Sequence, residues 1–311
     1  MNKIPIILDC DPGLDDAYAI MLANSAKTLE VRGVTVVAGN VEFYHTARNA
    51  VDLASMLHMK TRVAKGAEAP LIINLQTAAH IHGGNGLGGY LLPKANIDFD
   101  LDKAWDVIHQ EAVKCAGDLI LVATGPLTNV AIALLKYPDL KRNIKKIVMM
   151  GGSTTTGNHS PYAEFNIWAD PHAAEIVFKS GLPLIMFGLN VTHQCALSEA
   201  EMTELGEIDS EIQALIQGLN KHVFGEDQVR TRGGTLTLHD AVALAYLLDE
   251  NIAKLRPAQV VCELNSPFSC GQTVVDFNCL PEEANVKVAV EANKQVFKGI
   301  LTTMVKSYKI K

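Results

Sequence analysis

The sequence predicts an α/β protein: an open, mostly parallel, Rossmann-like sheet with helices on both faces and a mixed helical and β elaboration towards its C-terminal end. Three observations predict it. Apolar, β-rich runs alternate with helical patterns over the first two-thirds of the 311 residues, the pattern of strands joined by crossover helices. Helix punctuation is clean where it is easiest to read, with Asp170-Pro171 as a start and Gly181 as a stop. No Pro- or Ser-rich linker, internal repeat or low-complexity stretch interrupts the chain, so one elaborated domain over 1–311 is the simplest organisation.

Taken in order, a strand at 4–9 leads into a helix at 14–26, a strand at 31–38 and a helix at 43–59. A short strand near 61–64 precedes a glycine-rich loop at 80–89 and a helix at 103–116. Strands at 118–123, 145–150 and 183–189 then alternate with helices at 126–137 and 171–180. From about 200 the pattern changes. An acidic, mostly helical stretch runs to about 224, and a helix follows His239-Asp240 through Leu248. Strands near 257–263, 272–276 and 286–291 come before a terminal helix at 293–308.

Composition narrows the class. With 48% hydrophobic residues the chain buries a sizeable core, and its net charge of -7 argues against nucleic acid or an anionic membrane as partner. Met1-Asn2-Lys3-Ile4-Pro5 runs straight into a strand and leaves no room for a signal peptide, and no apolar segment reaches membrane-spanning length. The six cysteines form no C-x-x-C pair and read as reduced thiols of a cytoplasmic protein.

Chemistry concentrates at Ile6-Ile7-Leu8-Asp9-Cys10-Asp11-Pro12-Gly13-Leu14-Asp15-Asp16. An apolar strand runs into four carboxylates at one strand-to-helix turn. Asp15 and Asp16 also suit a helix N-terminus, but four like charges at one turn repel, and folding does not require them. A divalent cation relieves the repulsion, and oxygen-only ligands suit a hard ion such as Ca²⁺ or Mg²⁺.

Open parallel sheets bind ligands beyond the carboxyl ends of their strands. Those positions hold Gly39-Asn40, then Thr124-Gly125-Pro126-Leu127-Thr128-Asn129, then Gly151-Gly152-Ser153 leading to Asn158 and Glu164-Phe165-Asn166, and finally Gly188-Leu189-Asn190-Val191-Thr192-His193. They offer oxygens and amides and no Lys or Arg for phosphate. The implied ligand is neutral, rich in hydroxyls and bound beside a cation, as a sugar without phosphate is. His80 to Gly89 is neither a P-loop nor a dinucleotide fingerprint; it reads either as a flexible surface loop or as a lid with His82 reaching inward. At Thr237-Leu238-His239-Asp240, Asp240 is either an N-cap or a further hard-metal ligand, and His239 either a solvated neighbour or a titratable acid. Glu164 and Asn166 suit vicinal hydroxyls, and Trp168 is expected to pack behind their loop.

These residues together resemble the inosine–uridine nucleoside hydrolases (nucleoside N-ribohydrolases). Asp9-Cys10-Asp11-Pro12-Gly13-Leu14-Asp15-Asp16 is similar to that family's signature. The likeness covers nearly the whole chain through Ala38-Gly39-Asn40, His80-Ile81-His82-Gly83, Met150-Gly151-Gly152, Gly157-Asn158, Asp170-Pro171, His239-Asp240 and Gly271-Gln272-Thr273-Val274-Val275-Asp276. The resemblance implies Ca²⁺-dependent hydrolysis of ribonucleosides to base and ribose, in nucleoside salvage. Asp11, Asp16 and Asp240 would hold Ca²⁺ by side-chain oxygens and Thr124 by its carbonyl. A metal-bound water would attack, with Asp11 as its base. Asp15, Asn158, Glu164 and Asn166, with Phe165, would grip the ribose, and Asn40 would orient the neighbourhood of the metal. His239 would assist the leaving base, with His82 near it on the lid.

The pair His82 and His239 resembles the pyrimidine-preferring and nonspecific branches; the purine-specific branch uses aromatic stacking instead, and is kept as the alternative. The segment Leu219 to Gly234, with Phe224, Gln228, Arg230 and Arg232, is expected as a second lid. It departs from the tyrosine-bearing helix of the nonspecific members. The family implies a homotetramer or homodimer. Two competitors are weaker. A haloacid-dehalogenase-like phosphatase wants Thr or Val where Gly13 stands, and a binding protein that has lost catalysis would have a damaged Asp11, Asp16 or Asp240.

Overall fold

The computed structural model describes residues 3–225 and 234–309. Nine strands form one sheet. In chain order the elements begin with β1 (Ile4–Cys10), α1 (Leu14–Ser25), β2 (Leu29–Val36), α2 (Phe43–Met56), β3 (Arg62–Lys65), the helical turn α3 (Ala79–His82) and α4 (Ala104–Lys114). Next come β4 (Leu119–Ala123), α5 (Thr128–Lys136), α6 (Leu140–Asn143), β5 (Ile144–Met150), α7 (Phe165–Ala169), α8 (Pro171–Phe178), β6 (Leu184–Phe187) and α9 (Leu189–Thr192). The C-terminal third holds β7 (Leu197–Ser198), α10 (Glu199–Gly206), α11 (Gln213–Val223), β8 (Thr235–Leu236) and α12 (His239–Ala245). It ends with β9 (Ala253–Cys262), β10 (Thr273–Asp276), β11 (Val286–Ala292) and α13 (Lys294–Ser307). β7 and β8 make a separate two-stranded pair.

The main sheet runs β10-β9-β11-β6-β5-β4-β1-β2-β3. β1 to β6 and β11 are parallel; β9 and β10 join antiparallel at one edge. The pleat divides the core in two. Ile6, Leu8 and Cys10 pack on one face with α1 and α12, while Ile7 packs on the other with α4, α5 and α8. β4 repeats the division, with Ile120 and Val122 against Leu119, Leu121 and Ala123. Burial on both faces accounts for the apolar runs in the sequence.

β1 pairs with β2 on one side and with β4 on the other. The chain therefore leaves β1 in one direction and returns to its far side, which opens a crevice at their carboxyl ends. The acidic turn and Thr124 both lie there. Asp170 caps α8 as expected: its Oδ1 accepts from Ala173 N at 3.0 Å, with Pro171 in the first turn.

The mostly helical stretch to about 224 is two helices, α10 and α11, separated by 207–212. Two expectations need correction. β9 starts at Ala253 and not at 257. Pro257 sits within it because β10 pairs with β9 only at Gln259 and beyond, so the strand has a free edge where proline is tolerated. Lastly, His80 and His82 lie in the helical turn α3 and not in an open loop. The glycines that follow are braced: Asn85 Oδ1 accepts from Leu87 N at 3.1 Å and Gly89 N at 2.9 Å, and Asn49 Nδ2 donates to Asn85 O at 2.8 Å. Of the expected second lid, Gln228, Arg230 and Arg232 lie outside the described residues.

Candidate active site

The floor of the site is the β1–α1 turn. Asp11, Asp16 and Asp240 are buried, and Asp15 nearly so. Asp15 and Asp16 come from the first turn of α1, where the unpaired N–H groups favour negative charge. Asp240 comes from the first turn of α12, which packs on α1. Its side chain is turned to the other carboxylates, and Leu238 occupies the N-cap position that Asp240 could have held. Asp15, Asp16 and Asp240 each present an oxygen within 4.8 Å of one another.

Asp11 sits beside them with one oxygen held and one left over. Its Oδ2 accepts from Asn40 N at 2.7 Å. Its Oδ1 is buried without a hydrogen-bond partner. Glycine makes room for it: a Cβ on Gly39 would stand 2.1 Å from Asp11 Oδ2, and one on Gly125 2.6 Å from Oδ1. Asp16 is fully engaged, accepting from Gly13 N and Asn40 Nδ2, each at 2.9 Å, and from Thr124 Oγ1 at 3.2 Å. Asn40 also donates to the Asp11 carbonyl at 3.0 Å, so one side chain ties Asp11 to Asp16.

Burial raises the pKa of Asp11 well above the carboxylate range, and the neighbouring Asp16 adds to it. Burial does the same to Asp240, with Asp15, Asp16 and Asp11 adding to it, and burial also raises Asp16. No Lys or Arg among the described residues lines the cavity. An orphaned buried oxygen amid uncompensated carboxylates is a donor set that fits a hard cation.

Asp9, the fourth acid of the motif, does not join them. The pleat sends it to the α5 face, where Thr35 Oγ1 and Asn129 Nδ2 donate to its Oδ1. Burial pushes its pKa up to about 7 against those two bonds. In the sequence the four acids looked equivalent; in the fold they are three facing the crevice with Asp240 added, and one beneath.

The walls carry the sugar candidates. Glu164 is buried, caps α7 by accepting from Asn166 N at 3.0 Å and Ile167 N at 3.3 Å, and accepts from Gly152 N at 2.9 Å. Burial pushes its pKa up to about 7 despite these donors. Asn166 Nδ2 donates to the Thr124 carbonyl at 2.8 Å and to the Met150 carbonyl at 3.2 Å. The carbonyl expected as a metal ligand thus already accepts one bond, with a second lone pair remaining. Asn158 lines the same cavity, and its Oδ1 accepts from Phe165 N at 2.8 Å. Trp168 does pack behind the loop, stacked on His159 at 3.4 Å and absent from the cavity wall.

At the rim, His82 Nδ1 accepts from Leu14 N at 3.1 Å, which seats the α3 turn on the start of α1. His239 lies across the cavity with its Nδ1 2.7 Å from Thr192 Oγ1 and its ring edge-on to His193 at 5.3 Å. Sequence reasoning gave no role of their own to Ala78, Met150, His80 and His159, which also line the cavity, or to Thr192 and His193 beside His239. Only the strand-end position of Thr192 and His193 signalled them.

Residues 6–299 match the family model described as inosine-uridine preferring nucleoside hydrolase. The chain is 39% identical over 297 residues to the non-specific ribonucleoside hydrolase RihC of Escherichia coli (strain SMS-3-5 / SECEC), covering 95% of this chain and 96% of that one. It is 38% identical over 296 residues to RihC of Shigella flexneri, with the same coverage. Among solved structures, a purine-preferring ribonucleoside hydrolase from Gardnerella vaginalis superposes with a TM-score of 0.92 at 32% identity, over 99% of this chain and 100% of that one. The plant nucleoside hydrolase PpNRh1 superposes at 0.90 with 26% identity, over 97% and 98%.

Proposed function

The chain belongs to the inosine–uridine preferring nucleoside hydrolase family and cleaves the N-glycosidic bond of ribonucleosides; from that premise we propose a base-tolerant enzyme in which Asp11 activates water and His239 assists departure of the base. The observation that carries this is the cluster of buried carboxylates, with the unpartnered Oδ1 of Asp11 beside it, beneath a cavity lined by Asp15, Asp240, His82 and His239.

The reaction passes through an oxocarbenium-like state. Carboxylates in a dry crevice stabilise that positive charge more strongly than water does. Asp11 takes the proton of the attacking water through Oδ1, while the Asn40 N–H keeps Oδ2 in place. Asp15, Asn158, Glu164 and Asn166 hold the ribose hydroxyls, with Phe165 as an apolar wall. The existing bonds of Asn158, Glu164 and Asn166 to backbone fix their rotamers, so the sugar meets a preorganised surface. His239 donates to the leaving base and His82 flanks it; general-acid help of this kind is worth roughly 10²–10⁴-fold.

Asp11, Asp16, Asp240 and the Thr124 carbonyl would hold a hard cation, taken as Ca²⁺ on the precedent of the family, with Asp15 grouped beside Asp16 and Asp240 to join them. Such an ion would supply Lewis-acid activation of water. Oxygen-only donors and four acids support Ca²⁺ over a softer metal. We further propose one domain over 1–311, a cytoplasmic location and a homotetramer or homodimer, on the precedent of the family. No described helix is long and apolar enough to cross a membrane.

Tolerance for the base rests on the non-specific RihC relatives at 38–39% identity and on the histidine pair. A reducing-sugar assay with uridine, cytidine, inosine and adenosine tests it. Ribose from both pyrimidine and purine nucleosides is expected. Ribose from inosine and adenosine alone would establish the purine-specific alternative.

A further inference from the structure

We infer that Thr192 is the positioning residue that aims His239 at the departing base. The inference rests on the role proposed above for His239. Thr192 closes α9, one turn beyond β6, and its side chain is fully buried. The Gly188 carbonyl accepts from Thr192 N at 3.0 Å, which anchors the residue to the sheet edge. Thr192 Oγ1 shares a hydrogen bond of 2.7 Å with His239 Nδ1. The ring of His239 is half-buried and lines both parts of the cavity. Two rotatable bonds separate it from α12, so the backbone alone does not set its plane. With Nδ1 held on the sheet side, the opposite edge of the ring, which carries Nε2, meets the base. His193, edge-on at 5.3 Å, bounds the ring's swing on a second side.

The chemistry of the partner matters. A hydroxyl both donates and accepts, so Thr192 keeps its bond to Nδ1 whichever tautomer the ring adopts. A valine has the same shape but removes the hydroxyl, so His239 Nδ1 loses this partner. This arrangement gives the Thr192 hydroxyl a role that its aliphatic neighbours Leu189 and Val191 could not fill.

Thr192→Val, Thr192→Ser and His239→Ala are compared on uridine and inosine, which have poor leaving groups, and on 4-nitrophenyl riboside, which needs no help. For Thr192→Val we expect kcat on both nucleosides to fall about tenfold or more, a fraction of the general-acid range. KM, and turnover of the nitrophenyl riboside, should stay within about twofold, and Thr192→Ser should restore the nucleoside rates. Unimpaired nitrophenyl riboside turnover also certifies the fold; Thr192→Ala repeats the comparison without the valine's bulk. If Thr192→Val slows both substrate types equally, or neither, while His239→Ala slows nucleosides selectively, the positioning role is wrong. If His239→Ala itself shows no selectivity, the leaving-group role of His239 falls, and the inference with it.

Discussion

The two sides of the cavity are built on different terms. The acidic floor is buried, its carboxylates pinned by backbone N–H groups and by Asn40 and Thr124. The histidine rim is half-exposed and is tied together by contacts between distant segments, among them Leu14 to His82, Thr192 to His239, and His222 Nε2 to the Ile81 carbonyl at 3.1 Å. The difference follows the chemistry. Stabilising an oxocarbenium ion needs fixed charge in a dry place, whereas the rim must admit the substrate and release a base. The floor is therefore expected to be intolerant of small displacements, and the rim to respond in proportion to the leaving group.

Asp11→Asn tests the contrast at its strongest. Losing the buried, unpartnered Asp11 Oδ1 should cut kcat by about 10³-fold or more on nucleosides and nitrophenyl riboside alike, with an unchanged circular-dichroism spectrum. A variant keeping most of its activity would remove Asp11 from the base role. Gly39→Ala should come next. Its Cβ would fall 2.1 Å from Asp11 Oδ2, and an ångström of misplacement can cost about 10² in rate. The loss should again ignore the leaving group; a leaving-group-dependent loss would mean that floor and rim are not separate.

The smallest effect is on stability. Glu164 and Asp9 are fully buried, and each has its pKa raised to about 7. Both are therefore held neutral more firmly in the folded chain than in the unfolded one. The stability these two groups contribute to the cation-free protein is full below their ordinary carboxylate pKa values and is lost as pH rises through about 7. Shifts of this size correspond to about 3 to 4 kcal/mol per group. Melting curves between pH 5 and 8 in chelator should show Tm falling with pH. Added Ca²⁺ should raise Tm more at pH 8 than at pH 5, because the acids must lose protons to bind it. Equal stabilisation at both pH values would argue against binding at the carboxylates.

Much of this was legible beforehand because it is local. A strand, a Pro-Gly turn and a helix start lie within Ile6 to Asp16, so period and punctuation place the acids without knowledge of the fold. Strand-end residues such as Asn40, Thr124 and Asn166 could be nominated because parallel sheets put their ligands at that edge. What could not be read was the second duty of those residues. Glu164 caps α7, and Asn166 bonds two carbonyls, the latter contacts needing the ends of β4 and β5 side by side. His80 and His82 read as loop because glycines follow them, and a single helical turn gives too little periodicity to detect.

The sequence by itself determined the alternation of strands and helices, the hard-ligand character of the site and its lack of phosphate-binding cations at the strand ends. Each of these follows from residue type and near-neighbour spacing. Only the tertiary structure decided which acids face one another. The pleat of β1 turned Asp9 away to Asn129, 120 residues distant. Thr124 reaches Asp16 across 108 residues, and α12 brings Asp240 from the far end of the chain to the same oxygens. Pairings over such separations depend on strand order and helix packing, and those are settled by burying both faces of the sheet at once.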